Sequence, residues 1–436
     1  MRHLREVQLH GQRDVEEARY MVGGLLLLHA ATGVVLSSYL SKVPQGAADK
    51  ILGIAQAFQR DERADKVNLV VGAYRDGGGS PWVLPTVREA EQRLIARGQN
   101  KEYASIVGVP AFLDRALEFA YGPGCTALSE GRVAAVQTLS GTGACRLAAD
   151  FYARFLPPGT AAYVSEPTWP NHIPIFETAG LEVRKYRYLG ADGRFDVEGM
   201  LEDIGQAPAG SVFVLHACAH NPTGVDPTAA DWKRISDALL AAGQHILVDM
   251  AYQGFASGDA RRDAAALSLL AEAGHSLALA QSFAKNFGLY GERVGSLSLV
   301  CADAAEASRV ESQLKLLIRP MYSSPPIHGA LLVNEVLSDA ALRAQYDDEC
   351  ASMARRISDM RALLVAELSA AGSQRDWSHV TDQIGMFAYT GLTAAQCDAL
   401  MEEHAVYLTR DGRISMAGVN EQNAGVIAAA IVAVAG

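Results

Sequence analysis

No Cys-x-x-Cys pair occurs anywhere in the 436 residues, and the six cysteines (Cys125, Cys145, Cys218, Cys301, Cys350, Cys397) lie far apart. Zinc sites and disulfide frameworks need thiols at short or regular spacing, so neither is suggested and a reducing compartment fits best. Basic excess is also missing. The 38 Lys and Arg stand against 49 Asp and Glu, a formal charge of −11. That balance argues against a general nucleic-acid binder and leaves small molecules as the expected partners, without forbidding a local anion pocket. There is no internal repeat and no low-complexity tract beyond alanine richness. Hydrophobic residues make up 49% and charged residues 20%, which excludes disorder as the theme and suffices for a large core plus a smaller second domain.

A clear membrane span is absent too. Met21 to Leu40 is apolar but interrupted by His29, Thr32 and Gly33, borderline against the ~20 apolar residues a span needs, and a signal-peptide core is the other functional reading. Met1 to Tyr20 mixes Arg2, Arg5, Arg13 and Arg19 with Glu6, Asp14, Glu16 and Glu17, whereas a mitochondrial presequence is poor in acids. Residues 1–42 are therefore expected to be an extension outside the fold of a cytoplasmic protein. Mitochondrial location is the alternative, should residues 1–40 act as a targeting segment.

From there the chain alternates. An amphipathic helix is expected over Val43 to Arg60, a short strand over Val67 to Val71, and helices over Thr86 to Arg97 and Pro110 to Tyr121. Strands at Val133 to Leu139, Ala161 to Ser165, Val212 to His216, Ile246 to Val248 and Leu277 to Ala280 alternate with helices such as Ala144 to Phe155 and Asp231 to Ala242. This is the α/β signature of a mainly parallel sheet. Val294 to Val300 adds a further strand. A helical region from Ser338 to Ala370, short strands near Met386, Val406 and Ile414 and a terminal helix look like part of a second domain. The expected division is 43–80 with 353–436 as a small domain and 81–352 as a large one.

Four features converge on the strand ends of such a sheet, where open α/β sheets bind ligands. Ser140-Gly141-Thr142 is a glycine-rich strand-to-helix turn able to hold a phosphate; it lacks the G-x-G-x-x-G and G-K-[ST] spacings of dinucleotide and triphosphate sites. An ordinary capped turn is the bland reading. Asp249 ends an apolar strand and needs a cationic partner, which a protonated heterocyclic nitrogen or an Arg or Lys elsewhere would supply. Asn221, in His220-Asn221-Pro222-Thr223-Gly224, offers an amide, or is simply part of a proline-glycine turn. Lys285 follows the strand Leu277 to Ala280 among Phe283, Phe287 and Leu289, with Ser282 and Arg293 nearby to complete an anion site. A lysine on a loop is ordinarily solvated, but one held among aromatics is kept partly neutral and nucleophilic. Phosphate cradle, strand-end acid, amide donor and semi-buried lysine together describe a pyridoxal phosphate site.

With these words in place the chain, from about Pro44 to its end, resembles the class I aminotransferases, in particular the aspartate aminotransferase branch. The matching words are Val71-Gly72-Ala73-Tyr74-Arg75, Ser140 to Ala144, Pro167 to His172, His220 to Gly224, Ala251 to Phe255, Ser282 to Tyr290 and Gly385-Met386-Phe387. The resemblance implies fold type I, with a large cofactor-binding domain around a mainly parallel sheet and a smaller α/β domain formed by both chain ends. It implies a homodimer with shared sites that transfers the amino group of aspartate to 2-oxoglutarate.

By that resemblance Lys285 is the Schiff-base lysine and proton shuttle, and Asp249 pairs with the pyridinium. Asn221 and Tyr252 bond the phenolic oxygen, Trp169 stacks on the ring, and His172 supports Asp249. Ser140, Gly141, Thr142, Ser282 and Arg293 hold the phosphate, with Tyr103 reaching in from the other subunit. Arg413 clamps the α-carboxylate beside Gly72 and Trp169, and Arg319 is lent across the dimer to the side-chain carboxylate. Guanidinium forks explain both choices, since they pair bidentately with carboxylate. No metal is implied. Ser324, Ser415 and Ala284 depart from the residues usual in the family. Serine at the first position also appears in relatives that accept aromatic amino acids, so a broad aromatic and aspartate aminotransferase is the closest alternative, and an aspartate β-decarboxylase on the same scaffold a more distant one.

Overall fold

Among the described residues, the longest ladder is a seven-stranded sheet. The computed structural model describes residues 39–46 and 52–435. The chain divides into compact units of 1–49 and 50–436. Of the first unit, the described part is a 3-10 turn at Tyr39–Lys42 and four residues after it. Most of the apolar run to Leu40 and of the expected extension lies outside the described residues.

The main sheet contains β2 (Val133–Leu139), β3 (Ala161–Glu166), β4 (Glu182–Arg187), β5 (Val212–His216), β6 (His245–Met250), β7 (Leu277–Ser282) and β8 (Val294–Val300), following a two-residue β1 (Val67–Asn68). Its order is β2-β8-β7-β6-β5-β3-β4. Only β8 runs antiparallel to its neighbours. Parallel strands bring their carboxyl ends to one edge, and the reversed β8 brings its start to the same edge. Leu139 and Ser282 pair with Val294 and Gly295 there, while Asp249 stands beside His216 and Ala280.

Both faces of the sheet are covered. Phe213, Leu215, Ile246, Val248, Leu277 and Leu279 pack on one side, Val212, Val214, Leu247, Ala278 and Ala280 on the other. Two-sided burial is why these strands read as continuous apolar runs rather than alternating ones. A third cluster surrounds the lysine loop, where Phe283 and Phe287 are fully buried and Phe287 stacks on Tyr346 with ring centroids 4.2 Å apart. Tyr346 comes from the 31-residue helix Ala340–Ala370.

Two small ladders complete the unit: β1 pairs in parallel with β10 (Val406–Tyr407), and β9 (Phe387–Tyr389) pairs antiparallel with β11 (Arg413–Ser415).

Several boundaries differ from expectation. Val43 to Gly46 is not helical, and the helix is described only over Leu52–Arg60; Pro44 lacks an N–H and Gly46 is entropically costly in a helix. The strand expected over Val67 to Val71 stops at Asn68 because the next carbonyls leave the ladder, that of Val70 accepting from Arg413. Ser140 to Gly143 is the first turn of the helix Ser140–Phe155 rather than a separate turn. The edge strand β4 escaped a reading based on apolar runs because its sequence is Glu-Val-Arg-Lys-Tyr-Arg, the charged composition that protects a sheet edge.

Phe287→Ala should cost about 3–5 kcal/mol by removing a ring from this close-packed cluster. Chemical denaturation reads it; a loss below about 1 kcal/mol would contradict the packing described, being far from the value for a buried aromatic.

Candidate active site

A cleft opens at the common strand edge. Ser140, Gly141 and Thr142 line one end with Ser282 and Arg293; Trp169, Asn221, Asp249, Tyr252 and Lys285 line the remainder. These residues come from strand ends and the segments next to them, and the sheet gathers them. The hydroxyls of Ser140 and Ser282 lie 3.0 Å apart. A Cβ added at Gly141 would sit 3.1 Å from that of Ser282, so the bare backbone is what leaves this end open. Ser140 begins a 16-residue helix, whose first N–H groups face an anion site. Arg293, held at φ 53° and donating from Nη1 to the carbonyl of Tyr290 at 3.0 Å, stands at the rim.

Asp249 is the charge at the centre. Its Oδ2 lies 3.2 Å from His172 Nε2, and His172 Nδ1 lies 2.9 Å from the Thr168 hydroxyl. Burial pushes the Asp249 carboxyl up, but the bond to His172 and the neighbouring charges, that of Lys285 among them, outweigh it and hold it below the ordinary carboxylate range. Among the described residues its only ion-pair partner is a histidine, which leaves the carboxylate suited to a cationic ring nitrogen.

Lys285 faces the same cleft, its Nζ 5.8 Å from the centre of the Tyr252 ring. Burial lowers its pKa; Asp249 opposes that and Arg293 and Arg413 reinforce it. The net effect favours a neutral, nucleophilic amine.

Arg413 is 4% exposed on β11. Its guanidinium lies 4.1 Å from the centre of the Phe387 ring, donates to the Val70 carbonyl at 3.1 Å and reaches Asn221 Oδ1 at 3.5 Å. Its Nε is buried with no partner, a donor held ready for an anion. Gly72 lies against Phe387, whose ring a Cβ there would strike at 2.5 Å. Two of the expected residues stand apart from this cleft. Tyr103 is 87% exposed, and Arg319 is an exposed side chain bonded to the Ser323 hydroxyl at 2.6 Å.

Sequence reasoning missed His216 and Cys218, which also line the cleft. His216 ends β5 beside Asp249, and a histidine closing the run Val212 to Leu215 was the available signal. Both its ring nitrogens are buried and unpartnered, and burial pushes its pKa down to about 3, so it is neutral. The structure also gathers ligand-type atoms of Cys145, His172 and Asp249 within 4.8 Å of one another. Spacing along the chain could not anticipate this grouping. Two of its members already bond each other.

The donor set fits pyridoxal phosphate. A helix start with two hydroxyls suits the phosphate, an unneutralised carboxylate suits the ring nitrogen, and a desolvated amine suits the aldehyde. The Lys285 amine should titrate below the 10.5 of a free lysine. Asp249→Asn should lower it further, since the carboxylate is what favours the ammonium form. The pH dependence of the reaction of Nζ with a small aldehyde measures this, and an unmoved or raised midpoint in the variant would contradict the electrostatics.

The family model for class I and II aminotransferases matches residues 64–431. The mitochondrial aspartate aminotransferase of Dictyostelium discoideum is 51% identical over 399 residues, 91% of this chain and 93% of that protein. Among solved structures, the cytoplasmic aspartate aminotransferase of Saccharomyces cerevisiae superimposes with a TM-score of 0.89 at 42% identity, covering 91% of this chain and 98% of that one. The aromatic-amino-acid aminotransferase of Burkholderia pseudomallei, covalently bound to pyridoxal phosphate, gives 0.88 at 42% identity, covering 91% and 99%. With fold, site chemistry and relatives in agreement, the chain belongs to the class I and II aminotransferases.

Proposed function

We propose that the protein is a pyridoxal phosphate-dependent aspartate aminotransferase, moving the amino group of L-aspartate to 2-oxoglutarate to give oxaloacetate and L-glutamate. The observation that carries this reading is the pairing of a desolvated Lys285 with an unneutralised Asp249 in one cleft, beside the buried and incompletely satisfied Arg413. The aspartate aminotransferase relatives support the choice of substrate.

When bound, pyridoxal phosphate supplies an electron-withdrawing ring able to accept the electron pair left when the Cα–H bond breaks. Asp249 would hold the proton on the ring nitrogen, with His172 holding Asp249. Asn221 and Tyr252 would donate to the phenolic oxygen. Trp169 would cover the ring, while Ser140, Gly141, Thr142, Ser282 and Arg293 would grip the phosphate. Lys285 Nζ moves the proton at Cα, and a correctly placed base of this kind is worth about 100- to 10,000-fold in rate.

Arg413 clamps the α-carboxylate. Arg319 binds the side-chain carboxylate in the site of a second copy, and Tyr103 reaches the phosphate of that copy. Their exposure here supports a homodimer with shared sites. Movement of the segment bearing Arg413, as part of a smaller domain made of 43–80 and 353–436, would exclude water from the cleft.

A broader donor range is the second reading, supported by the likeness to an aromatic aminotransferase and by Ser324. The name of the Dictyostelium relative supports a mitochondrial location over the cytoplasmic expectation, and no helix among the described residues is long and apolar enough to cross a membrane.

Steady-state rates with aspartate, tyrosine and phenylalanine as donors should favour aspartate; comparable kcat/KM for all three would establish the broad enzyme instead. Arg413→Lys should lower kcat/KM for aspartate by about 10- to 150-fold, the loss expected for charged hydrogen bonds worth roughly 1.5–3 kcal/mol. Arg319→Asp should weaken aspartate far more than phenylalanine, and equal losses would refute its role.

A further inference from the structure

Two carboxylates, Asp226 and Asp263, take no part in the chemistry above and form no ion pair among the described residues. Asp226 accepts hydrogen bonds from the backbone N–H of Ala219, at 2.7 Å, and of His220, at 2.9 Å. Asp263 accepts from the backbone N–H of Gly254 at 2.8 Å, Ala256 at 3.1 Å and Ser257 at 3.1 Å. Burial pushes both carboxyls up, that of Asp226 to about 6, and the bonds from these loops pull the other way. A carboxylate withdrawn from water without a cation is costly unless N–H dipoles surround it. In both cases those dipoles are supplied by one short loop.

The identity of the loops gives the arrangement its meaning. Asn221 follows His220 directly, and Tyr252 stands two residues before Gly254. Each clasped turn also includes a residue in the left-handed region, Ala219 at φ 50° and Gly254 at φ 83°. For alanine that conformation is strained, so something must hold it. Gly385 leaves room for this conformation, since a Cβ added there would lie 2.4 Å from the Ala219 Cβ. Both oxygens of Asp226 are engaged, one on each of the two consecutive N–H groups that orient the peptide entering Asn221. Asp263 does the same for the turn leaving Tyr252.

We propose that Asp226 and Asp263 are positioning residues, two carboxylate clasps that aim Asn221 and Tyr252 into the cleft through the backbone N–H groups of the loops that carry them. The inference rests on the reading of Asn221 and Tyr252 as donors to the phenolic oxygen of pyridoxal phosphate. Donors aimed at that oxygen favour its ionised form. A clasp that slackens should therefore change the ionisation of the bound cofactor before it changes the fold.

Asp226→Asn and Asp263→Asn keep the shape but turn one acceptor oxygen into an NH2 facing a backbone N–H. In the holoenzyme, the pH midpoint of the cofactor's visible absorbance should rise by about half a unit to one unit in each variant, as weakened donors release the anionic oxygen. The dissociation constant for pyridoxal phosphate should rise roughly five- to ten-fold, in line with the weakening of one ordinary hydrogen bond to the phenolic oxygen. Asp226→Glu, which retains both oxygens, should recover part of the shift. A lowered melting temperature with a wild-type midpoint and wild-type cofactor affinity would mark the carboxylates as merely structural and overturn the inference. If one Asn variant does not fold, the other decides. Asn221→Ala and Tyr252→Phe are titrated alongside: if neither moves the midpoint, the donor reading itself fails and takes the inference with it. If they move it and the clasp variants do not, only the clasps fall.

Discussion

A carboxylate and an amine held in one cleft set the terms for the rest of the molecule. Asp249 is held below the ordinary carboxylate range although buried, and Lys285 is held below the ordinary lysine range although facing a carboxylate. Each condition works against the other, because an approaching pair would settle into a simple salt bridge and leave neither group available. The structure avoids that outcome by keeping His172 as the direct partner of Asp249 and by placing Arg293 and Arg413 where their charges favour a neutral lysine. The fold then has to bring these groups, from distant parts of the chain, to fixed places.

The sheet does so by direction and register. Parallel β3, β5, β6 and β7 deliver their final residues to one edge, and antiparallel β8 begins there, so Arg293 joins Ser140 and Ser282 around the phosphate end. The buried cluster of Phe283, Phe287 and Tyr346 anchors the loop on either side of Lys285. Across the cleft, the β9 and β11 ladder holds Arg413 over Phe387, and the neighbouring carbonyls of Gly385 and Phe387 accept from the buried Arg361. Among the described residues that guanidinium donates to carbonyls and pairs with no acid, which ties the segment at Gly385 and Phe387 to the helix Ala340–Ala370.

Much of this was legible in the chain itself. Continuous apolar runs ending in Asp249 or leading into Ser282 and Lys285 marked the buried strands and the edge at which their ends meet, and the motif words placed Asn221, Tyr252 and Trp169. What escaped had physical reasons. β4 is an edge strand whose charged side chains mask its pairing. His216 becomes informative only once register sets it beside Asp249. Asp226 and Asp263 look like ordinary surface acids until their N–H partners are known. Tyr103 and Arg319 are exposed and do not line this chain's own cleft, so folding of the single chain does not gather them with the other site residues.

The central claim is that Lys285, and no other lysine, carries the cofactor. Borohydride reduction of the holoenzyme followed by proteolysis and mass mapping tests it directly. The account predicts a phosphopyridoxyl group on the peptide containing Lys285 and a protein that no longer releases its cofactor. Modification at a different lysine, or cofactor recovered free after reduction, would contradict it.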